Sequence, residues 1–198
     1  MKVITIILLV ILALFIVFQV YTTVSTDRTE QQAYSVVAQL GELEIRHYPT
    51  SILATVDMSD TTYEGGSSNG FRRLAGYIFG GNAQEEKIAM TAPVRMEKGT
   101  AGMRMSFVMP SDRDTSSLPA PRDAGVRIAR SAEEYAAVLR FGGFLSDAMM
   151  AEKKRELLAA IQQQGLTATG EVNYLGYNPP WQLVDRRNEV LIPVRWPK

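Results

Sequence analysis

Cysteine is absent from the 198-residue sequence. Its absence excludes disulfides, thiolate metal sites, a cysteine nucleophile and a lipid anchor attached through sulfur. Histidine occurs once, as His47, so zinc sites built from several imidazoles are excluded and a catalytic dyad or triad has only this base to use. Neither sign of charge is in excess: 21 Lys and Arg face 21 Asp and Glu. With no basic field to hold a phosphate backbone, nucleic acid is not an expected partner, and no run of like charge marks a disordered tail. A phosphate-binding glycine loop and a tight cluster of acids suited to a hard cation are also missing.

One catalytic pattern is present and fails on context. Gly66-Ser67-Ser68-Asn69-Gly70 matches the Gly-x-Ser-x-Gly of serine hydrolases. A nucleophile elbow follows a buried apolar strand, whereas Asp60-Thr61-Thr62-Tyr63-Glu64 is polar, and His47 precedes the serine instead of following it. The stretch reads as a helix entrance.

Long apolar runs are confined to the N-terminus. Val3 to Tyr21 is interrupted only by Thr5 and Gln19, and at ~1.5 Å per residue a helix of that length approaches the hydrocarbon thickness of a bilayer. A signal-peptide core is usually shorter, and Val20 to Thr26 is a poor cleavage site. The segment therefore reads as an uncleaved anchor over residues 1–24, with a signal-like helix as the alternative, followed by a linker over 25–33 and a single domain over 34–198. Lys2 on one flank, against Arg28 offset by Asp27 and Glu30 on the other, predicts a single-pass inner-membrane protein with its domain outside the cytoplasm, in a periplasmic or other extracytoplasmic space.

From Leu43 the pattern runs strand, strand, helix, strand, strand, and it repeats from Val126. The first copy comprises Leu43–Tyr48, Ile52–Met58, a helix near Phe71–Phe79 ending at Gly80-Gly81, and strands Ile88–Met96 and Met103–Met109. After a Pro-, Ser- and Asp-rich link over Ser111–Gly125, the second comprises Val126–Arg130, Tyr135–Phe141, a Ser146-capped helix with Met150, Leu157, Leu158 and Ile161 on one stripe and Gly165 at its end, then Val172–Tyr177 and Glu189–Val194. Two such units, each too small to bury its own sheet face, predict an α+β fold with a curved or barrel-like antiparallel sheet and a helix on each side.

Lys87-Ile88-Ala89-Met90-Thr91-Ala92-Pro93-Val94 alternates so that Ile88, Met90, Ala92 and Val94 share a face, a wall able to enclose a ligand, while Pro93 places the strand at an edge or bend. Together with Phe107-Val108-Met109-Pro110-Ser111, Gly176-Tyr177-Asn178-Pro179-Pro180-Trp181 and Arg187-Asn188-Glu189-Val190, it resembles the SOUL haem-binding protein family from about Tyr34 to Trp196. The resemblance implies a distorted antiparallel β-barrel flanked by two helices. It also implies noncatalytic, noncovalent binding of haem, or of another planar apolar molecule, as a carrier, sensor or buffer.

The resemblance places the tetrapyrrole against the first helix and the neighbouring strand. Phe71, Leu74, Tyr77, Ile78, Met90 and Val94 would then contact the macrocycle, and Arg72 and Arg73 would hold its carboxylates through bidentate hydrogen bonds. It also offers His47, in Glu44-Ile45-Arg46-His47-Tyr48, as an axial iron ligand. The same residues equally describe a helix packed into a core, a solvated arginine pair and a strand histidine bonded to its neighbours. Tyr174, Tyr177 and Trp181 suit either an aromatic lid over a cavity or hairpin packing. Met90, Met96, Met103, Met105 and Met109 fit an adaptable ligand wall, a soft-metal site or core packing.

The ending Asn188–Val194 also resembles the wider effector-binding superfamily, which implies an acidic residue on the last strand. Glu189 in a cavity would attract a cation or, with a raised pKa, act as a general acid or base in a hydrolase or isomerase. Its alternative is a surface ion pair with Arg186 or Arg187. A further reading is a membrane-tethered interaction module with no small ligand.

Overall fold

The computed structural model describes residues 2–99 and 102–197. Helix α1, Lys2–Asp27, is exposed from residue 2 to residue 18. Its length, and the mean hydropathy of 3.2 over an 18-residue stretch of it, are those of a helix able to cross a membrane, a property it shares with signal sequences. The last turns of α1 touch the domain, where Gln19 and Thr22 are buried.

The domain follows the repeated plan. The first unit contains β2 (Leu43–Tyr48), β3 (Ile52–Asp57), α2 (Tyr63–Ile78), β4 (Val94–Lys98) and β5 (Met103–Val108). The second contains β6 (Val126–Arg130), β7 (Glu134–Phe141), α3 (Asp147–Gln163), β8 (Asn173–Gly176) and β9 (Asn188–Pro193). Strand β1, Ser35–Leu40, was not expected; it joins β2 through Gly41, whose φ of 68° suits the tight reversal.

The strand order is β1-β2-β7-β9-β8-β4-β5-β3-β6, antiparallel throughout. Without β1, exchanging each strand for its counterpart in the other unit reverses the order, so the duplication is written into the sheet about a pseudo-dyad between β4 and β8. Each unit also lends its first strand to the other half: β2 pairs with β7, and β6 pairs with β3.

The expected barrel does not close, because β1 and β6 remain unpaired edges of one open sheet. Closure is not needed to bury the apolar face. Leu74, Tyr77 and Ile78 of α2 and Met150, Leu157 and Ile161 of α3 cover one side of the sheet and share a core with Ile45, Ala54, Val56, Met105, Phe107, Ala137 and Val190. The opposite face has a smaller apolar patch of Tyr48, Ala136, Val138, Leu175, Tyr177 and Leu191, set among charged residues.

Two expectations of local structure are corrected. Helix α2 begins at Tyr63, not near Phe71: Thr62 caps it by accepting from the Gly65 N–H at 3.2 Å, and Asp147 of α3 accepts from Tyr63 N–H at 2.7 Å. The decoy Gly66–Gly70 stretch thus lies in its opening turns. A Cβ on Gly70 would stand 2.4 Å from Met58 Sδ, so this glycine permits the close approach of helix and sheet. The strand expected over Ile88–Met96 forms only from Val94. Before it, Ala92 donates to the Glu30 carbonyl and accepts from Gln32 N–H, each at 2.8 Å, which diverts the chain. Pro93 has no N–H with which to continue a ladder. Alternation fails accordingly: Ile88 is in the main core, Ala92 is in the patch on the other face, and Met90 is exposed.

Candidate functional site

Helix α2 separates its residues sharply. Leu74, Tyr77 and Ile78 are buried, and Tyr77 donates its hydroxyl hydrogen to the Pro119 carbonyl at 3.0 Å. These three residues belong to the core, so no slot lies between the inner face of α2 and the sheet at them. The outer rim of the helix differs. Phe71 is 39% exposed while its ring packs on Phe107 at 5.3 Å, and Phe107 is the cross-strand partner of half-buried Val94. Phe79 (60% exposed) at the helix end and Met90 (37%) on the segment that returns from it are further exposed apolar side chains, and Ile88 N–H donates to the Ile78 carbonyl there.

The two arginines are not equivalent. Arg73 is committed to Asp123 by two hydrogen bonds of 2.7 Å, which hold the Asp123 carboxyl down at about 2. Arg72 is exposed, and its one recorded side-chain hydrogen bond is a 3.2 Å contact to Asn69 on its own helix. Of the pair, Arg72 has donors to spare for an incoming carboxylate.

His47 lies elsewhere. Its ring stacks on Tyr135 at 4.9 Å, and Nε2 is 3.0 Å from Glu133 Oε1 but out of line for a hydrogen bond, with the nitrogen itself covered. Strand β2 is five places from β5 in the sheet, about 24 Å along it at ~4.8 Å per strand. The structure therefore does not bring His47 to the rim of α2.

Tyr174, Tyr177 and Trp181 do not form one lid. Tyr174 faces α3 and donates to the Met150 carbonyl at 3.0 Å, Tyr177 lies on the opposite face, and Trp181 is exposed on the loop beyond β8. Met96, Met103, Met105 and Met109 are core residues and do not gather into an exposed soft-metal site. Among the described residues, no group of three or more His, Asp or Glu side chains is placed to hold a metal ion.

Glu189 is fully buried, and its carboxylate accepts five hydrogen bonds: from Arg46 at 2.7 and 3.0 Å, from Arg187 at 3.0 and 2.8 Å, and from Tyr177 at 2.8 Å. Burial favours its neutral form, but the two guanidinium groups outweigh that and hold the carboxyl below the usual carboxylate range. This is opposite to the raised pKa that general acid work requires. Arg46 also donates to Glu44 at 2.7 Å and Tyr48 at 3.1 Å and lies over the Tyr34 ring at 4.1 Å. Burial, partly offset by Arg46, pushes the Tyr48 hydroxyl up to about 12.

Sequence reasoning named Glu189 but missed Arg46 as its principal partner. The available signal was strand parity, which sets Glu44, Arg46 and Tyr48 on the face opposite Leu43 and Ile45. Arg95 was missed in the same way; it is buried beside the pseudo-dyad and donates to Glu134 at 3.0 Å and Asn173 at 3.4 Å. These three residues and Glu97 line a cleft of about 680 Å³ shared with Lys98, Arg104, Lys154 and Glu171. Its walls are charged and do not suit an apolar ring system.

Comparison with known proteins agrees with this architecture. The sequence model described as SOUL heme-binding protein matches residues 29–193. Mouse heme-binding protein 2 is 33% identical over 160 residues, covering 77% of this chain and 78% of that protein. Mouse heme-binding protein 1 is 28% identical over 145 residues, covering 69% and 76%. Among solved structures, the EcmrR C-terminal domain aligns with a TM-score of 0.60 at 11% identity, over 79% of this chain and 99% of that one. A hydrolase from Listeria innocua aligns with a TM-score of 0.53 at 13% identity, over 80% and 94%. At such identities the structural likeness concerns the fold alone.

Proposed function

Because the chain belongs to the SOUL heme-binding protein family, we propose that it binds haem or a related tetrapyrrole noncovalently on the outer rim of α2. The observation that carries this reading is that Phe71, on the α2 rim next in sequence to Arg72, and Phe79 and Met90, at the helix end and on the segment after it, leave apolar side chains exposed. Apolar area removed from water would supply most of the affinity, and Arg72 would fix the orientation of a propionate. The site is superficial, since the inner stripe of α2 is spent on the core. Such a site suits reversible loading, as in a carrier or buffer. When bound, haem would bring its own redox and ligand chemistry; the chain's residues hold and orient it. This placement does not use His47, which lies away from the α2 rim with its Nε2 covered.

The enzyme reading built on Glu189 has less support, because both carboxylate oxygens are occupied and the group is held ionised. Helix α1 is read as a retained membrane anchor, since Gln19 and Thr26 bond to the domain. Absorbance titration with haem tests the proposal. Phe71→Asp with Met90→Asp is expected to weaken the Soret change at least tenfold in haem concentration, equivalent to about 1.4 kcal/mol, while His47→Ala leaves it unchanged. A response insensitive to the double substitution overturns this placement, and one abolished in His47→Ala moves the site to β2.

A further inference from the structure

The loop between β8 and β9 exposes three apolar side chains, Trp181 (57%), Leu183 (49%) and Val184 (55%), while Gln182 between them is buried. The loop is held by its own polar groups. Gln182 Nε2 donates to the Val184 carbonyl at 3.1 Å, and Arg186 donates to the carbonyls of Pro179 at 2.8 Å and Gln182 at 2.6 Å. Arg186 also lies over the exposed Phe144 ring at 4.2 Å. The apolar side chains therefore project from a braced frame and have no core to turn into.

The position of this frame is set by α1. Gln19, the polar interruption near the end of the apolar run, donates to the Trp181 carbonyl at 3.1 Å and accepts from Leu183 N–H at 2.9 Å. Thr26 donates to Gln182 Oε1 at 2.8 Å. A glutamine amide in an apolar helix is costly unless both of its ends are bonded, and here the loop backbone satisfies both. Gln19 is two residues inside Tyr21, the end of the run, so the loop meets the helix about 3 Å inside that end at ~1.5 Å per residue. This is the depth at which a spanning helix passes from acyl chains to headgroups, where tryptophan and tyrosine are preferred.

We propose that Trp181, Leu183 and Val184, flanked by Phe144, form a membrane-contact patch that seats the domain on the lipid surface next to its own anchor. The occupant is the headgroup–acyl boundary of the bilayer that α1 crosses. The patch lies on a loop bonded directly to the helix at Gln19 and Thr26, and burial in lipid removes its exposed area from water. The inference rests on reading α1 as a membrane span. It adds that the domain is held against the bilayer, with a fixed face toward it, and is not suspended from a free tether.

The test uses the full chain with Trp196→Phe, which leaves Trp181 as the one tryptophan of the two in the sequence. It is reconstituted in phosphatidylcholine–phosphatidylglycerol vesicles carrying a spin label either near the headgroup or at the bilayer centre. Resistance to alkaline extraction reads the span separately. The expected result is extraction-resistant protein with blue-shifted Trp181 emission, quenched more by the shallow label than by the deep one. Extraction-resistant protein with unshifted, unquenched emission overturns the patch and leaves the span standing. Protein released by alkali removes the span and the proposal together. A blue shift that varies with protein-to-lipid ratio and is insensitive to both labels assigns the patch to a second copy of the chain and also overturns the proposal. Should Trp196→Phe not fold, Leu183→Cys carrying a polarity-sensitive dye gives the same reading, because the chain has no other cysteine.

Discussion

Arg46 on β2 and Glu189 on β9, 143 positions apart in sequence, are joined by two hydrogen bonds of 2.7 and 3.0 Å across the intervening strand β7. The pair ties the first strand of one duplicated unit to the last strand of the other. Arg187 and Tyr177 complete the neutralisation of the carboxylate, so the cluster fastens the open face of the sheet where no helix covers it.

Glu189→Gln leaves two guanidinium groups facing a neutral amide in a buried setting. Removing one partner of a buried pair costs about 3–5 kcal/mol. Urea unfolding is expected to show a midpoint lowered accordingly, with an unchanged slope; an effect below about 1 kcal/mol, the level of surface pairs, would show that the cluster is not a fastening.

The same carboxylate makes stability depend on acid. Its folded pKa is depressed, so the stabilisation is fully present above the unfolded value of about 4.3 and is lost as pH falls below that value through the folded pKa. Unfolding free energy of the wild type should decline through this window as pH is lowered. Glu189→Gln should show a shallower decline, from the loss of one titrating group.

Two residues on one helix are expected to respond oppositely. Leu74→Ala, in the sealed core, should destabilise the fold by about 2–5 kcal/mol. Phe71→Asp, on the exposed rim, should cost far less stability while reducing haem binding. Thermal unfolding and haem titration on the same samples separate the two. Equal stability losses would mean that Phe71 is a packing residue first.

Gln19→Ala removes the acceptor for the Leu183 N–H. Hydrogen exchange of the full chain is expected to show faster exchange at Leu183 and its loop neighbours, with strands β7 and β9 unchanged. Unaltered exchange at Leu183 would mean that the helix end does not brace this loop.

Local pattern made much of the fold readable. Alternation in Leu43–Tyr48 and Ile52–Asp57, the Ser146 cap of α3 and the repeat from Val126 appear in the structure close to their expected bounds, because each depends on neighbours within a few residues. The start of α2 was less legible, since its opening turns are rich in glycine and serine and rely on Asp147, 84 positions from Tyr63, for a cap.

By itself the sequence determined the duplication, the apolar N-terminal helix and membership of the haem-binding family, all of which are properties of order along the chain. Tertiary structure alone decided that the sheet stays open, that Leu74, Tyr77 and Ile78 are sealed inside while Phe71 and Met90 face solvent, and that Arg46 occupies Glu189. Strand and helix periodicity tell which residues share a face, but not what covers that face. Two helices on one side of the sheet, and two arginines on the other, supply that answer only after distant segments meet.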